Sequence, residues 1–133
     1  MRYRLIVVLL IGLSSSLASA GEKEDAFRSI ITSQLEAFKR DDAREAFSFA
    51  SPTIQGMFGT PENFMAMVER GYPPVFRARV YEFVNTVEID GKTYQRVRIT
   101  GADGDTVLAH YEMVEIEGRW RINGCFITRP EEV

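Results

Sequence analysis

From Glu24 to Arg40, the apolar side chains Phe27, Ile30, Ile31, Leu35 and Phe38 recur at helical spacing, with Gln34 on the same stripe and charges elsewhere. The pattern predicts an amphipathic helix of about four turns. Asp42, with Glu45 three residues on, resembles a capping box and predicts a shorter helix carrying Ala46, Phe47 and Ala50. Ser51-Pro52 ends it and offers the start of another helical turn, since proline at a first helical position loses no hydrogen bond. A further helix opens with Thr60 as cap and Pro61 behind it, turns Phe64, Met67 and Val68 inward, and stops at Gly71. Three helices therefore precede Tyr72-Pro73-Pro74-Val75, where the two prolines predict an extended connection.

Beyond Val75 the period moves toward two. The segments VFRARVYEFVNTVEI, TYQRVRIT, TVLAHYEMVEI and RWRINGCFI are rich in β-branched and aromatic residues. Asp90-Gly91, Asp103-Gly104-Asp105 and Glu117-Gly118 stand between them as hairpin turns. The prediction is an α+β domain: three N-terminal helices packed on a curved four-stranded antiparallel sheet.

Turn lengths convert this prediction into a map of faces. Two-residue turns at Asp90-Gly91 and Asp103-Gly104 set Ile89 opposite Lys92, Val84 opposite Val97, Val97 opposite His110 and Gln95 opposite Glu112. Val80, Val84, Val97, Ile99, Leu108, Val114 and Ile116 then form the face that the helices cover, and His110 and Glu112 share it. Two buried polar groups need partners or a cavity. The other face mixes Arg77, Arg79, Arg96, Arg98 and Arg121 with Tyr81, Phe83, Ala109, Tyr111 and Met113. It reads as a solvated strand face, or as the surface on which two sheets meet in a symmetric homodimer.

The last hairpin has two registers. A two-residue turn at Glu117-Gly118 sets Cys125 opposite His110, an arrangement suited to an activated thiol. A three-residue loop instead buries Trp120, Ile122 and Phe126 and turns Cys125 to the outer face; it is preferred because it covers the larger apolar set.

Residues 1–20 form a unit of their own: a basic start with Arg2 and Arg4, the apolar run Leu5 to Leu13, and a small-residue tail ending in Ala18-Ser19-Ala20. This is the three-part pattern of a secretory signal peptide, with cleavage near Ala20 and an exported, periplasmic or secreted product. The serines at 14 to 16 interrupt the run well short of the ~20 apolar residues of a membrane span. Residues 21–133 make a single domain with 14 basic and 19 acidic side chains, a net charge of −5. An acidic surface argues against nucleic acid as a partner, and the processed chain is expected to be free of the membrane. One cysteine excludes an intrachain disulfide, and one histidine beside one cysteine leaves too few ligands for a transition-metal site. No phosphate-binding glycine loop, GxSxG or HExxH occurs, so neither a cofactor nor a metal is expected. Asp41-Asp42 reads as a helix start, and Glu131-Glu132 as a solvated tail.

Helices followed by a meander ending in EGRWRINGCFI resemble the NTF2-like, or cystatin-like, superfamily, whose last strand often carries a Gly-x-Trp-x-Ile pattern. QLEAFKRDDAREAFSFASPTIQGMFG, GYPPVFRARVYEF and WRINGC look more closely like an uncharacterised bacterial family, domain of unknown function 4864. The resemblance implies an NTF2-like cone in which a bent sheet wraps a long N-terminal helix and leaves a pocket at its open end, with frequent dimers. It brings no catalytic residues to carry over, because fold alone does not settle function. The first functional expectation is a noncatalytic exported domain binding a small apolar ligand or a protein partner. Its pocket would be lined by Phe38, Phe64, Tyr72, Gln95, His110, Glu112 and Trp120. The alternative is an acid–base isomerase, dehydratase or cyclase in which His110 moves a proton, Glu112 orients it and Tyr72 polarises an oxygen.

Overall fold

The computed structural model describes residues 15–130. The basic start and apolar run of the predicted signal peptide lie outside them, as does Glu131-Glu132. Helix α1 covers Ser15–Lys39, so its backbone runs unbroken past Ala20 and begins earlier than the apolar stripe suggests. Phe27, Ile31, Leu35 and Phe38, spaced four, four and three apart, are fully buried along one side of α1. Burying each such side chain is worth roughly 1.5–3 kcal/mol, which is what fixes the rotation of the helix on the sheet.

Among the described residues there are five helices rather than three: α1 is followed by α2 (Ala43–Ser48), α3 (Pro52–Phe58), α4 (Pro61–Gly71) and α5 (Pro73–Phe76). The starts of α2, α3 and α4 are capped as their sequences require. The side chains of Asp42, Ser51 and Thr60 accept hydrogen bonds from the backbone of Glu45 at 3.0 Å, Ile54 at 3.2 Å and Asn63 at 3.1 Å. Gly71 is the last residue of α4, with Tyr72 as the cap. The extended connection expected at Pro73-Pro74 is instead one helical turn, α5. Both prolines occupy positions whose N–H groups a helix leaves unpaired, and burial of Pro74, Val75 and Phe76 favours the turn.

Four antiparallel strands follow in the order β1-β2-β3-β4: Ala78–Ile89, Lys92–Gly101, Thr106–Ile116 and Arg119–Thr128. The Asp90-Gly91 and Glu117-Gly118 turns are both two residues long, with positive φ at all four residues, as the tightest hairpins require. Glu117-Gly118 therefore does not form the three-residue loop preferred from the sequence. The middle hairpin is the one with the longer loop. The Gly101 amide donates to the Asp105 carbonyl at 2.9 Å, and Ala102, Asp103 and Gly104 lie between them, Gly104 at φ +85°.

That single extra loop residue shifts β3 by one position. Ile99 faces Val107 rather than Leu108, Val97 faces Ala109 rather than His110, and Gln95 faces Tyr111 rather than Glu112. Because strand side chains alternate, the slip exchanges the two faces of β3. Val107, Ala109, Tyr111 and Met113 join the helix-covered core, and His110 and Glu112 turn to the opposite face. A bulge between Phe83 and Asn85 does the same for β1, so Tyr81 and Phe83 pack on the core while Val80 is 59% exposed. In β4, Trp120 and Ile122 pack inward as expected, but a bulge at Asn123 reverses the parity beyond it. Cys125 and Ile127 therefore face the core, whereas Phe126 stacks on His110 on the outer face.

Two close contacts lock the layers together. A Cβ placed on Gly101 would stand 2.9 Å from the Pro74 Cα, so α5 sits directly against the end of β2. Residues 49–51 pair with the β4 edge: the Ile122 amide donates to the Phe49 carbonyl at 2.9 Å and the Ser51 amide to the Ile122 carbonyl at 2.8 Å. Covering part of an edge strand in this way removes unpaired backbone groups from water.

Candidate functional site

The aromatic side chains of α1, α2, α3 and α4 meet one another around Phe64, whose ring centroid lies 6.1 Å from that of Phe38, 5.4 Å from Phe47 and 5.9 Å from Phe58. Rings of this size, held at tilted angles, do not close the space between helices and sheet. A cavity of about 230 Å³ remains, with Phe38, Phe64 and Val68 on its helical side and Tyr111, Ile122 and Cys125 on its sheet side. Its mouth lies at α3, which contributes Ile54, Met57 and Phe58 and has no buried residue of its own; Met57 is 69% exposed.

Four groups able to hydrogen-bond line this otherwise apolar space: Gln34, Tyr72, Tyr111 and Cys125. The Gln34 side-chain amide donates to the Ala46 carbonyl at 3.1 Å, and the Tyr72 hydroxyl donates to the Cys125 carbonyl at 2.8 Å. Tyr111 sits directly across the ladder from Cys125 and is 1% exposed, yet its hydroxyl has no hydrogen-bond partner among the described residues. Burial, and secondarily the neighbouring Cys125, raise the Tyr72 phenol above its ordinary value and the Tyr111 phenol well above it. Burial likewise pushes the Cys125 thiol up to about 12, against a small opposing effect of a backbone hydrogen bond from His110. All three groups are thus neutral near pH 7. A protonated thiol is a poor nucleophile, so the cavity is chemically suited to holding a molecule rather than attacking it.

Of the seven residues expected to line a pocket, Phe38, Phe64 and Tyr72 do line this cavity. Trp120 instead packs edge-on against Phe27, centroids 4.8 Å apart. Gln95 stands in a separate cleft beside Glu24 and Arg28, donating to the Asn85 carbonyl at 3.1 Å and hydrogen-bonding Thr86 at 3.1 Å. His110 and Glu112, expected under the helices, lie on the other face for the reason of register given above. The His110 imidazole lies 3.0 Å from the Thr128 hydroxyl and stacks on Phe126, with centroids 4.3 Å apart. Burial, then the adjacent Arg96, lower its pKa and favour the neutral ring. Glu112 accepts from the Asn123 side chain at 3.0 Å and pairs with Lys92 at 3.5 Å. The two groups therefore engage different partners and do not converge on one cavity.

Among the cavity residues that the sequence reading does not place there are Gln34 and, on the sheet side, Tyr111 and Cys125. One signal points to Tyr111: facing the even-numbered side chains of β3 inward buries a histidine and a glutamate, whereas the odd set Val107, Ala109, Tyr111 and Met113 carries no charge at neutral pH.

The chain belongs to the family described as Domain of unknown function (DUF4864), whose model matches residues 20–133. No curated protein matches the chain.

Proposed function

We propose that this is an exported domain of NTF2-like architecture that holds a small apolar molecule in the cavity between its helices and its sheet. The observation that carries the reading is a half-open apolar space of about 230 Å³ between helices and sheet with four hydrogen-bonding side chains on its wall. The space is open on the α3 side, so a molecule that fills it takes apolar wall out of water, worth roughly 25 cal/mol per Å² covered. The half-open mouth at α3, between the Ser51 cap and Gly59 at φ +77°, supplies a route of entry.

Export rests on the basic, apolar and small-residue order of residues 1–20. The family match spans residues 20–133 and leaves the basic and apolar parts of that segment outside it. The NTF2-like assignment rests on the helix-first order, the four-stranded meander and the long α1 packed across it.

The test uses protein expressed from its full-length sequence. Intact mass should show the loss of residues 1–20, and toluene or naphthalene should bind in ligand-observed NMR and raise the Tm. Ile54→Trp, a change at a half-exposed position of the mouth, should block both effects. Unchanged Tm and spectra at saturating probe would end the reading.

The outer sheet face supports a homodimer as a second reading. Phe126 is 44% exposed and lies among His110, Tyr94 and Arg96, while Arg98 and Glu82 pair nearby at 3.3 Å. An apolar ring among charges of both signs suits a self-complementary surface. Light scattering should then give twice the monomer mass for the wild type and the monomer mass for Phe126→Asp; a wild-type monomer at all concentrations overturns it.

A further inference from the structure

We infer that the occupant of the cavity is an uncharged molecule of about ten heavy atoms bearing one hydrogen-bond acceptor, a carbonyl or ether oxygen, which takes the hydroxyl hydrogen of Tyr111. The inference rests on the reading of the cavity as a binding site and adds the chemical class of what it binds.

Size comes first. An apolar cavity of about 150 Å³ accepts benzene. The space of about 230 Å³ here accepts one ring with a short substituent, or an aliphatic molecule of the same bulk. Charge is decided by the wall: no lysine, arginine, histidine, aspartate or glutamate is among the described residues that line it. A carboxylate or ammonium brought into such a space would lose its hydration without gaining a counter-charge, so ionic ligands are rejected.

The polar atom is decided by which groups are already engaged. Tyr72 spends its hydroxyl hydrogen on the Cys125 carbonyl, and the Gln34 amide nitrogen is bound to the Ala46 carbonyl. Among the described residues, Tyr111 alone combines near-complete burial with an unpaired hydroxyl. Buried hydroxyls are nearly always hydrogen-bonded in native proteins, and an exception at a cavity wall marks the place of a missing partner. A phenol gives its hydrogen more readily than it accepts one, because its oxygen lone pair is shared with the ring. The matching ligand atom is therefore an acceptor. Burial keeps Tyr111 protonated, so the donor persists across the physiological range.

Acetophenone and α-methylstyrene test the assignment, since they share size and shape and differ in an oxygen replaced by a methylene. Affinities for both are measured by NMR titration on the wild type and on Tyr111→Phe, together with the carbonyl stretching frequency of the bound ketone. The expected result is that Tyr111→Phe weakens acetophenone about tenfold, the size of one well-formed hydrogen bond, and leaves α-methylstyrene unchanged or slightly tighter. The carbonyl stretch should shift to lower frequency in the wild type and return in the variant. Benzoate should not bind. If both neutral probes bind and Tyr111→Phe treats them alike, the acceptor assignment is overturned while the cavity remains a binding site. If neither binds the wild type, the binding reading falls and the assignment with it.

Discussion

Replacing Tyr111 by phenylalanine should make the protein more stable, although it removes a polar group from the most buried strand. Ordinarily a buried tyrosine hydroxyl is hydrogen-bonded, and its deletion leaves a partner unsatisfied. Here the hydroxyl has no partner among the described residues, so nothing is left behind. An unsatisfied buried hydroxyl costs about 1–3 kcal/mol, and the ring that remains fills nearly the same volume, so the packing term is small. For a domain of roughly 110 residues the unfolding entropy near the midpoint is about 0.24 kcal/mol per kelvin, which converts the gain into a Tm rise of about 4–12 °C. The measurement is calorimetric unfolding of ligand-free wild type and variant at pH 7, with urea titration to check that the m-value is unchanged. A Tm that falls by several degrees would refute the reasoning, because it would mean that the hydroxyl has a protein partner in solution. The same comparison above pH 10 supplies an independent sign. The Tyr111 phenol has a folded pKa well above its ordinary value, so the folded state holds its proton longer and wild-type stability falls as pH rises past 10. The variant should lose less over that interval.

Cys125, with a thiol pushed up to about 12, should react with a maleimide at neutral pH far more slowly than in urea-unfolded protein, and wild-type stability should decline between pH 9 and about 12 where a Cys125→Ala variant declines less. Rapid native labelling would show that β4 is not held as described. His110 has a lowered pKa, so the unfolded chain binds its proton more readily; stability is fully present above about 6.5, falls as pH drops from there to the folded value, and should do so less in His110→Gln. Urea unfolding at a series of pH values reads this directly. Gly101→Ala places a Cβ 2.9 Å from the Pro74 backbone and should cost about 1–3 kcal/mol in urea unfolding; an unchanged midpoint would mean that α5 is not seated against the end of β2.

The helical half of the domain was legible because its signals are local. A stripe at positions 27, 31, 35 and 38 has one interpretation, and Asp42 and Thr60 each sit one residue before the helix they cap. The short helix α5 was not legible, since two prolines after Tyr72 favour extension in isolation and only the burial of Val75 and Phe76 makes the turn worthwhile. Four strands in antiparallel order could be read from alternation and three turn sequences, and Asp90-Gly91 pinned Ile89 to Lys92 as expected. What could not be read was parity. Asp103-Gly104-Asp105 admits a two-residue or a three-residue loop, and the bulge after Phe83 carries no turn residue to announce it; Asn123-Gly124 does carry one, but inside a strand-like run it does not say which way the parity falls. Each displaces its strand by one position, which is enough to exchange a charged pair for an apolar one on the covered face.

The bulge at Asn123 shows how such a displacement is held and why it matters for chemistry. Its side-chain oxygen accepts from the Ser51 hydroxyl at 2.7 Å, and its side-chain nitrogen donates to Glu112 at 3.0 Å. Ser51 is in turn the cap of α3 and the end of the segment that pairs with Ile122. The residue that interrupts the β4 ladder is thus the same one that ties the sheet edge to the helix at the cavity mouth. Were β4 to run straight from the Glu117-Gly118 turn, Cys125 would stand beside His110 on the outer face, the geometry of an activated thiol. One inserted residue moves it instead beside Tyr111, within an apolar wall where its proton is held tightly. The same sequence therefore encodes a reactive pair in one register and a neutral, hydrogen-bonding cavity wall in the other. The hydrogen bonds that join Asn123 to Ser51 and Glu112 belong to the second.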